Sequence, residues 1–381
     1  MRARPHRLER LPEQYFTRLL ARVAAAAAAG GEPLVDLGRG NPDVPPPPHV
    51  VEALARAVAR PDTHGYAPFA GLPALKEALA ARYRDVYGVD VDPGREVAVL
   101  PGTKTGLVEF AQVAVERGRA LVLPDPGYPD YRSAVALAAA AHVPLPLLDD
   151  ARPDWDAAPV EAAALYLNYP SNPAAAAAPA GVFAEAIEWA ERAGAWLVHD
   201  FAYGDLVFDG RRPESFLAAD GAREVGLELY SMSKSYGMAG WRLGFAVGNA
   251  ELVARIEDLQ NHVFAGVFAP VQEAGVAALT GPQETVEERR ALYERRRDRA
   301  VAALDGLDAR AEGTFFVWFR LPEGTTCERL LEEHRIALAP GEGFGERGRG
   351  WARLSLAVSD ETLDRGLERL TSAFPNGDSH R

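Results

Sequence analysis

One cysteine, Cys327, stands alone in 381 residues. No internal disulfide can form and no cysteine cluster can hold zinc, so the chain suits a reducing compartment, and the cytoplasm is the expected location. Lysine is almost as scarce: Lys76, Lys104 and Lys234 face 38 arginines. Positive charge is outweighed as well, with 41 Lys+Arg against 54 Asp+Glu and a net charge of −13. That surplus repels phosphate backbones and removes nucleic acid from the expected partners. No apolar run approaches the ~20 residues that span a bilayer, so no membrane partner is expected. Arg2, Arg4, Arg7 and Arg10 precede the alanine-rich run Val23 to Ala29. Flanked by Arg22 and Gly30, with Glu9, Glu13 and Arg18 upstream, that run reads as a helix end rather than an export core. No His/Asp/Glu spacing argues for a metal. No Gly-x-Gly-x-x-Gly follows the first strands, which argues against an NAD site.

At 48% hydrophobic and 25% charged, the composition is that of an ordinary globular protein of two compact units. Between about residues 95 and 250, short β-branched or leucine-rich runs alternate with longer alanine-rich stretches, the pattern of a mostly parallel α/β sheet. Seven strands are predicted, near Val97–Leu100, Ala120–Leu123, Val143–Leu147, Ala163–Leu167, Ala195–His199, Leu227–Tyr230 and Leu243–Val247. Helices are predicted over Thr105–Glu116, Tyr131–Ala141 and Ala180–Arg192. Glu284 to Asp305 reads as a long charged helix with a solvated surface, Glu294 and Arg297 lying on one face. Strands follow at Thr314–Arg320 and Ala352–Leu356, separated by the turn-rich Pro340–Gly350. The expected division is a large domain over residues 46–283 and a smaller α+β domain from residues 1–45 and 284–381.

Where arginine replaces lysine almost everywhere, a retained lysine suggests chemistry that needs a nucleophilic or deprotonatable amine, which guanidinium cannot supply. Lys76, beside Glu77 in an alanine-rich helix, reads as solvated. Lys234 follows a strand, at the sheet edge where open α/β folds bind ligands. Ser231 and Ser233 flank it, and Gly237, Gly240 and Arg242 follow. Amine, hydroxyls and guanidinium together suit a carbonyl cofactor that carries a phosphate. His199 points to the opposite face of its strand from Asp200 and reads as packed.

Four segments in order carry a resemblance. SMSKSYGMAGWRLGF around Lys234, LNYPSNPAA around Asn172, VHDFAYGDLVFDG around Asp200 and ARLSLA around Arg353 resemble the motifs of class I/II aminotransferases. These are pyridoxal 5′-phosphate (PLP) enzymes of fold type I, and the likeness runs from about Gly38 to Leu370. It implies a seven-stranded, mostly parallel large domain, a homodimer with shared active sites, and a ping-pong transfer through a Lys234 Schiff base. Amino acids and 2-oxo acids are the implied substrates, and the alanine, methionine-salvage and diaminopimelate transaminases are the branch most resembled.

The same resemblance assigns roles. Asp200 would pair with the pyridine nitrogen, and Tyr203 and Asn172 would donate to the ring oxygen. Gly102, Thr103 and Lys104 would adjoin the phosphate with Ser231, Ser233 and Arg242. Tyr128 would stack on the ring, and Tyr66 would reach the phosphate of the neighbouring subunit. Arg353 would clamp the substrate α-carboxylate, with Asn172 and the backbone at Gly40 beside it; Ala339–Gly345 resembles a loop at the site mouth. Ala174 and Ala175 replace the family's Thr-Gly, which predicts altered loop rigidity with the chemistry retained. The same cofactor set also serves lyases and other α- or β-carbon reactions, and a non-catalytic PLP-binding regulator is the remaining alternative.

Overall fold

The computed structural model describes residues 5–374, so Arg2 and Arg4 of the N-terminal arginine run lie outside the described residues. Seven strands form the large sheet: β1 (Val97–Leu100), β2 (Ala120–Asp125), β3 (Ala141–Pro146), β4 (Ala164–Asn168), β5 (Trp196–Phe201), β6 (Gly226–Ser231) and β7 (Gly244–Gly248). Their spatial order is β1-β7-β6-β5-β4-β2-β3. Only β7 runs antiparallel to its neighbours; every other pairing is parallel.

These strands read as nearly continuous apolar runs because both faces are covered. Successive side chains serve opposite cores, as the period of two requires. Val97 and Val99 join the cluster beneath helices Pro73–Arg82 and Val182–Ala193. Ala98 and Leu100 join Leu107 and Phe110 of helix Thr103–Ala114 on the other side.

A second sheet contains β8 (Ala309–Arg310), β9 (Phe316–Arg320), β10 (Ala339–Pro340) and β11 (Trp351–Ser355) in antiparallel order β10-β11-β9-β8. Its core draws on both ends of the chain. Leu19 and Val23 of helix Tyr15–Ala28 pack in one cluster with Val317, Phe319 and Leu354, and Val35–Asp36 pairs in parallel with Ile336–Ala337. Pro340–Gly350 folds into two short 3-10 turns, Gly341–Phe344 and Glu346–Gly348.

Two expectations are corrected. Lys76 is buried, not solvated, and its ammonium lies 2.6 Å from Glu257 on helix Ala250–Val263; nothing local to Lys76 reveals that the second helix covers it. The charged helix, Glu284–Ala303, is solvated on one side only. Glu287, Arg290 and Glu294 form surface pairs, and Glu294 lies 3.8 Å from Arg297 as its spacing predicts. Arg289 and Arg296 are buried instead. Arg289 donates to the carbonyls of Val44 and Pro45, and Arg296 pairs with Asp43 at 2.8 Å. Guanidinium tolerates such burial because its fork of donors meets fixed acceptors, although Arg289 Nε has no partner among the described residues.

Candidate functional site

Parallel strands in register bring their carboxyl ends to one edge. Asn168 at the end of β4 lies opposite Asp200 on β5, and β6 ends at Ser231, opposite Gly244. Beyond these ends lies a cleft of about 580 Å³. Of the residues singled out in the sequence, Gly40, Thr103, Lys104, Tyr128, Asn172, Asp200, Tyr203, Ser231, Ser233, Lys234, Arg242 and Arg353 all line it. Gly102 caps helix Thr103–Ala114 directly behind it. Tyr66 does not line the cleft of its own chain; it is 86% exposed.

Lys234 sits in the single helical turn Met232–Ser235, which opens immediately after β6. Its ammonium donates to the Gly40 carbonyl at 3.0 Å and lies 5.2 Å from the Phe315 ring centre and 5.6 Å from that of Tyr203. Burial, reinforced by the positive fields of Arg353 and Arg242, pushes its pKa down to about 8, against a smaller opposing pull from Asp200. A pKa near 8 leaves a sizeable neutral fraction at physiological pH, and the neutral amine is the form that attacks a carbonyl.

Asp200 is buried, and that burial raises its pKa above the usual carboxylate range, although Tyr131 donates to Oδ2 at 2.8 Å and favours the charged form. No basic side chain pairs with it among the described residues. The carboxylate therefore faces the cleft in want of a cation, such as a protonated ring nitrogen. Asn168 fixes both sides of this arrangement, donating to the Asp200 carbonyl at 2.8 Å and accepting the Asn172 amide at 2.7 Å. Sequence reasoning missed Tyr131 and Asn168. Tyr131 opens its helix three residues after Tyr128, whose ring lies 5.5 Å from its own, and this spacing was the one available signal.

At the opposite end the donors suit a dianion. Ser231 and Ser233 are buried, with Ser231 Oγ accepting the Ser233 amide at 3.1 Å. Arg242 crosses the mouth of helix Thr103–Ala114, where unpaired N–H groups and the helix dipole favour a phosphate. Gly102 has φ +90, and a Cβ there would lie 2.2 Å from Arg242 Nη2, so only glycine lets the arginine approach. Lys104 is turned to Asp130, 2.7 Å away.

Arg353 is buried against aromatic rings, its guanidinium carbon 3.8 Å from the Phe316 ring centre, 4.9 Å from Phe344 and 5.3 Å from Phe16. Nη1 donates to Asn172 Oδ1 at 2.6 Å and Nη2 to the Gly38 carbonyl at 3.3 Å, whereas Nε has no partner among the described residues. Desolvation lowers the pKa of the group. A buried guanidinium without a carboxylate is costly, and an incoming carboxylate relieves that cost.

His199 is packed behind the site as expected: Nδ1 lies 2.8 Å from Glu228 and Nε2 2.9 Å from the Tyr169 carbonyl. Ala175, at φ +51, occupies the left-handed conformation in which the family pattern has glycine, and its carbonyl accepts the amides of Glu312 and Gly313.

The donor set fits the phosphorylated carbonyl cofactor that the lysine motif implies. It comprises one depressed lysine, a buried carboxylate without a basic partner, two buried hydroxyls and a helix N-terminus. Among the described residues no His/Cys/Asp/Glu group could hold a metal.

The family model for aminotransferase class I and II matches residues 32–370. The chain is 45% identical over 378 residues to an L-glutamine–4-(methylsulfanyl)-2-oxobutanoate aminotransferase of Bacillus subtilis, covering 96% of this chain and 95% of that relative. It is 38% identical over 377 residues to an LL-diaminopimelate aminotransferase of Moorella thermoacetica, covering 96% of each. A substrate-bound structure of BacF from Bacillus subtilis superposes with a TM-score of 0.92 at 38% identity, covering 98% of both chains.

Proposed function

The chain belongs to the class I and II aminotransferases, PLP-dependent enzymes that move an amino group between an amino acid and a 2-oxo acid, and on that footing we propose that its acceptor carries an uncharged, apolar side chain. The observation that carries this reading is the wall of the cleft contributed by helix Tyr15–Ala28, where Phe16, Leu19, Leu20 and Val23 face the site. An apolar wall gains free energy from methylene or thioether contact and penalises an unpaired charge. The 2-oxo acid named for the Bacillus relative, 4-(methylsulfanyl)-2-oxobutanoate, has such a side chain.

PLP, when bound, supplies the carbonyl carbon and the electron sink for the reaction. The chain's own residues divide the remaining work. Arg353 takes the substrate α-carboxylate in a two-pronged grip, with Asn172 at its side. Lys234 Nζ would hold the cofactor's carbonyl carbon and, as a free amine, would carry the proton away from Cα. Asp200 holds the ring nitrogen protonated, while Tyr203 and Asn172 donate to the ring oxygen. Gly102, Thr103, Ser231, Ser233 and Arg242 hold the phosphate, Lys104 adjoins it, and Tyr128 covers the ring. Within the described residues we assign 46–283 to the cofactor-binding domain, and 5–45 with 284–374 to the smaller one that presents Arg353.

A homodimer is the assembly we propose, and the exposed side chains of Tyr66, Phe69, Val263 and Phe268, between 43% and 86% exposed, support it. Exposed apolar patches mark interfaces; the phosphate reached by Tyr66 belongs to the partner. Among the described residues no helix is long and apolar enough to cross a membrane, and the cytoplasm is the location we propose. A panel of 2-oxo acids with one fixed donor tests the acceptor reading. Aliphatic and thioether acids should be turned over at least tenfold better than oxaloacetate, and a preference for oxaloacetate would refute it.

A further inference from the structure

A ping-pong aminotransferase must read a second substrate in the same cleft, and among the basic residues that this chain contributes to its own cleft one is left to do so. Five basic side chains line the cleft: Arg39, Lys104, Lys234, Arg242 and Arg353. Lys104 is held by Asp130, Lys234 and Arg353 face the reacting carbon and the α-carboxylate, and Arg242 lies across the phosphate end. Arg39 has none of these tasks. Its Nε alone is engaged, by Asp36 Oδ2, its side chain is 60% exposed, and both Nη atoms are without partners among the described residues. The carboxylates of the cleft are by contrast already occupied. Asp36 accepts the Gly38 amide and Arg39, Asp43 accepts Tyr293 and Arg296, and Asp200 serves the ring. A side-chain cation therefore meets only carboxylates that already have partners, whereas a side-chain oxygen meets two guanidinium nitrogens without partners among the described residues.

The position is suitable too. Arg39 precedes Gly40, whose carbonyl accepts Lys234 and whose added Cβ would lie 3.6 Å from Arg353 Nη2. Neighbouring Cα atoms are about 3.8 Å apart, so Arg39 branches from the backbone one residue from the point where Gly40 closes on Arg353, and it lines the same cleft. We propose that Arg39 is a specificity-determining residue that binds the distal oxygen of the amino donor, a short side chain ending in a carboxylate or amide. Asp36 holds the guanidinium through Nε and leaves the fork of Nη atoms free to bind an oxygen. For an apolar acceptor the flexible, exposed side chain stays in solvent, and the Phe16–Val23 wall makes the contact.

This inference rests on the aminotransferase reading and is tested in half-reactions of the holoenzyme. Wild type, Arg39→Leu and Arg39→Lys are compared with glutamate, glutamine and methionine as single donors, alongside calorimetric binding of glutarate and of pentanoate to the cofactor-free chain. Arg39→Leu should lower the glutamate-to-methionine ratio of kcat/KM by about tenfold or more, with glutamine falling less than glutamate. It should also weaken glutarate relative to pentanoate, and Arg39→Lys should recover part of both ratios. Equal losses for all donors, or unchanged ratios, would overturn the proposal. Failure of the wild type to aminate apolar 2-oxo acids would refute the acceptor reading alone, because the Arg39 ratios are read from the donors.

Discussion

In the proposed mechanism two side chains carry the chemistry, and each makes a separate prediction. With its pKa pushed down to about 8, Lys234 in the cofactor-free chain should react with an amine-selective reagent at a rate that levels off above pH 8, as the neutral fraction saturates. A lysine at the ordinary value near 10.4 would keep gaining reactivity up to pH 10. With only three lysines in the chain, peptide mapping resolves each profile, and borohydride reduction of the holoenzyme should label Lys234 and spare Lys76 and Lys104. Lys234→Ala should retain noncovalent cofactor and lose turnover by several orders of magnitude. Arg353→Lys should raise KM about 10- to 100-fold for every donor alike, since all share the α-carboxylate and an ammonium cannot reproduce the fork; steady-state kinetics over a donor panel measures the uniformity. Lys234 was legible in the sequence because its hydroxyls, glycines and arginine lie within a dozen residues of it. The Arg353–Asn172 contact, between residues 181 apart in sequence, was reached only through motif resemblance, since periodicity and spacing carry no information at that range.

At the scale of elements, a buried ion pair ties the segment that follows β5 to β6 and to helix Pro73–Arg82. Arg82 donates to Asp205 at 2.6 Å and to the Tyr230 hydroxyl at 2.8 Å, and Tyr87 donates to Asp205 at 2.8 Å. Burial alone would raise the Asp205 pKa, but Arg82 and the hydroxyl donors hold it below the ordinary carboxylate value. Asp205→Ala should cost about 3–5 kcal/mol, because it leaves Arg82 buried and unpaired, and replacing both partners with apolar groups should cost much less. Urea midpoints of the two singles and the double measure the coupling. The folded-state pKa of Asp205 is depressed, so the contribution is complete above the unfolded value near pH 4 and fades as pH falls through the lower folded value. The strands were legible from their apolar runs. Lys76 and Arg296 were not, because their burial depends on which helix covers them, and composition cannot place that helix.

For the whole molecule, cofactor retention should depend on assembly. Dilution of the proposed dimer to monomer should release PLP in step with dissociation, measured by sedimentation and absorbance on the same samples. Tyr66→Phe should weaken retention by about 1.5–3 kcal/mol while the dimer persists, because it deletes one donor to a dianion. The mostly parallel sheet was readable from the strand and helix alternation, whereas the sharing of one core by both chain ends was an expectation from the C-terminal strands that only the packing of Leu19 and Val23 makes concrete. The central claim is amino transfer, against release of ammonia by the same cofactor constellation. It is tested most directly by mixing the holoenzyme with methionine in the absence of any 2-oxo acid and quantifying the products. One equivalent of 2-oxo acid per Lys234 site, with no ammonia and no further turnover until an acceptor is added, is the predicted result; continued ammonia release without an acceptor would contradict it.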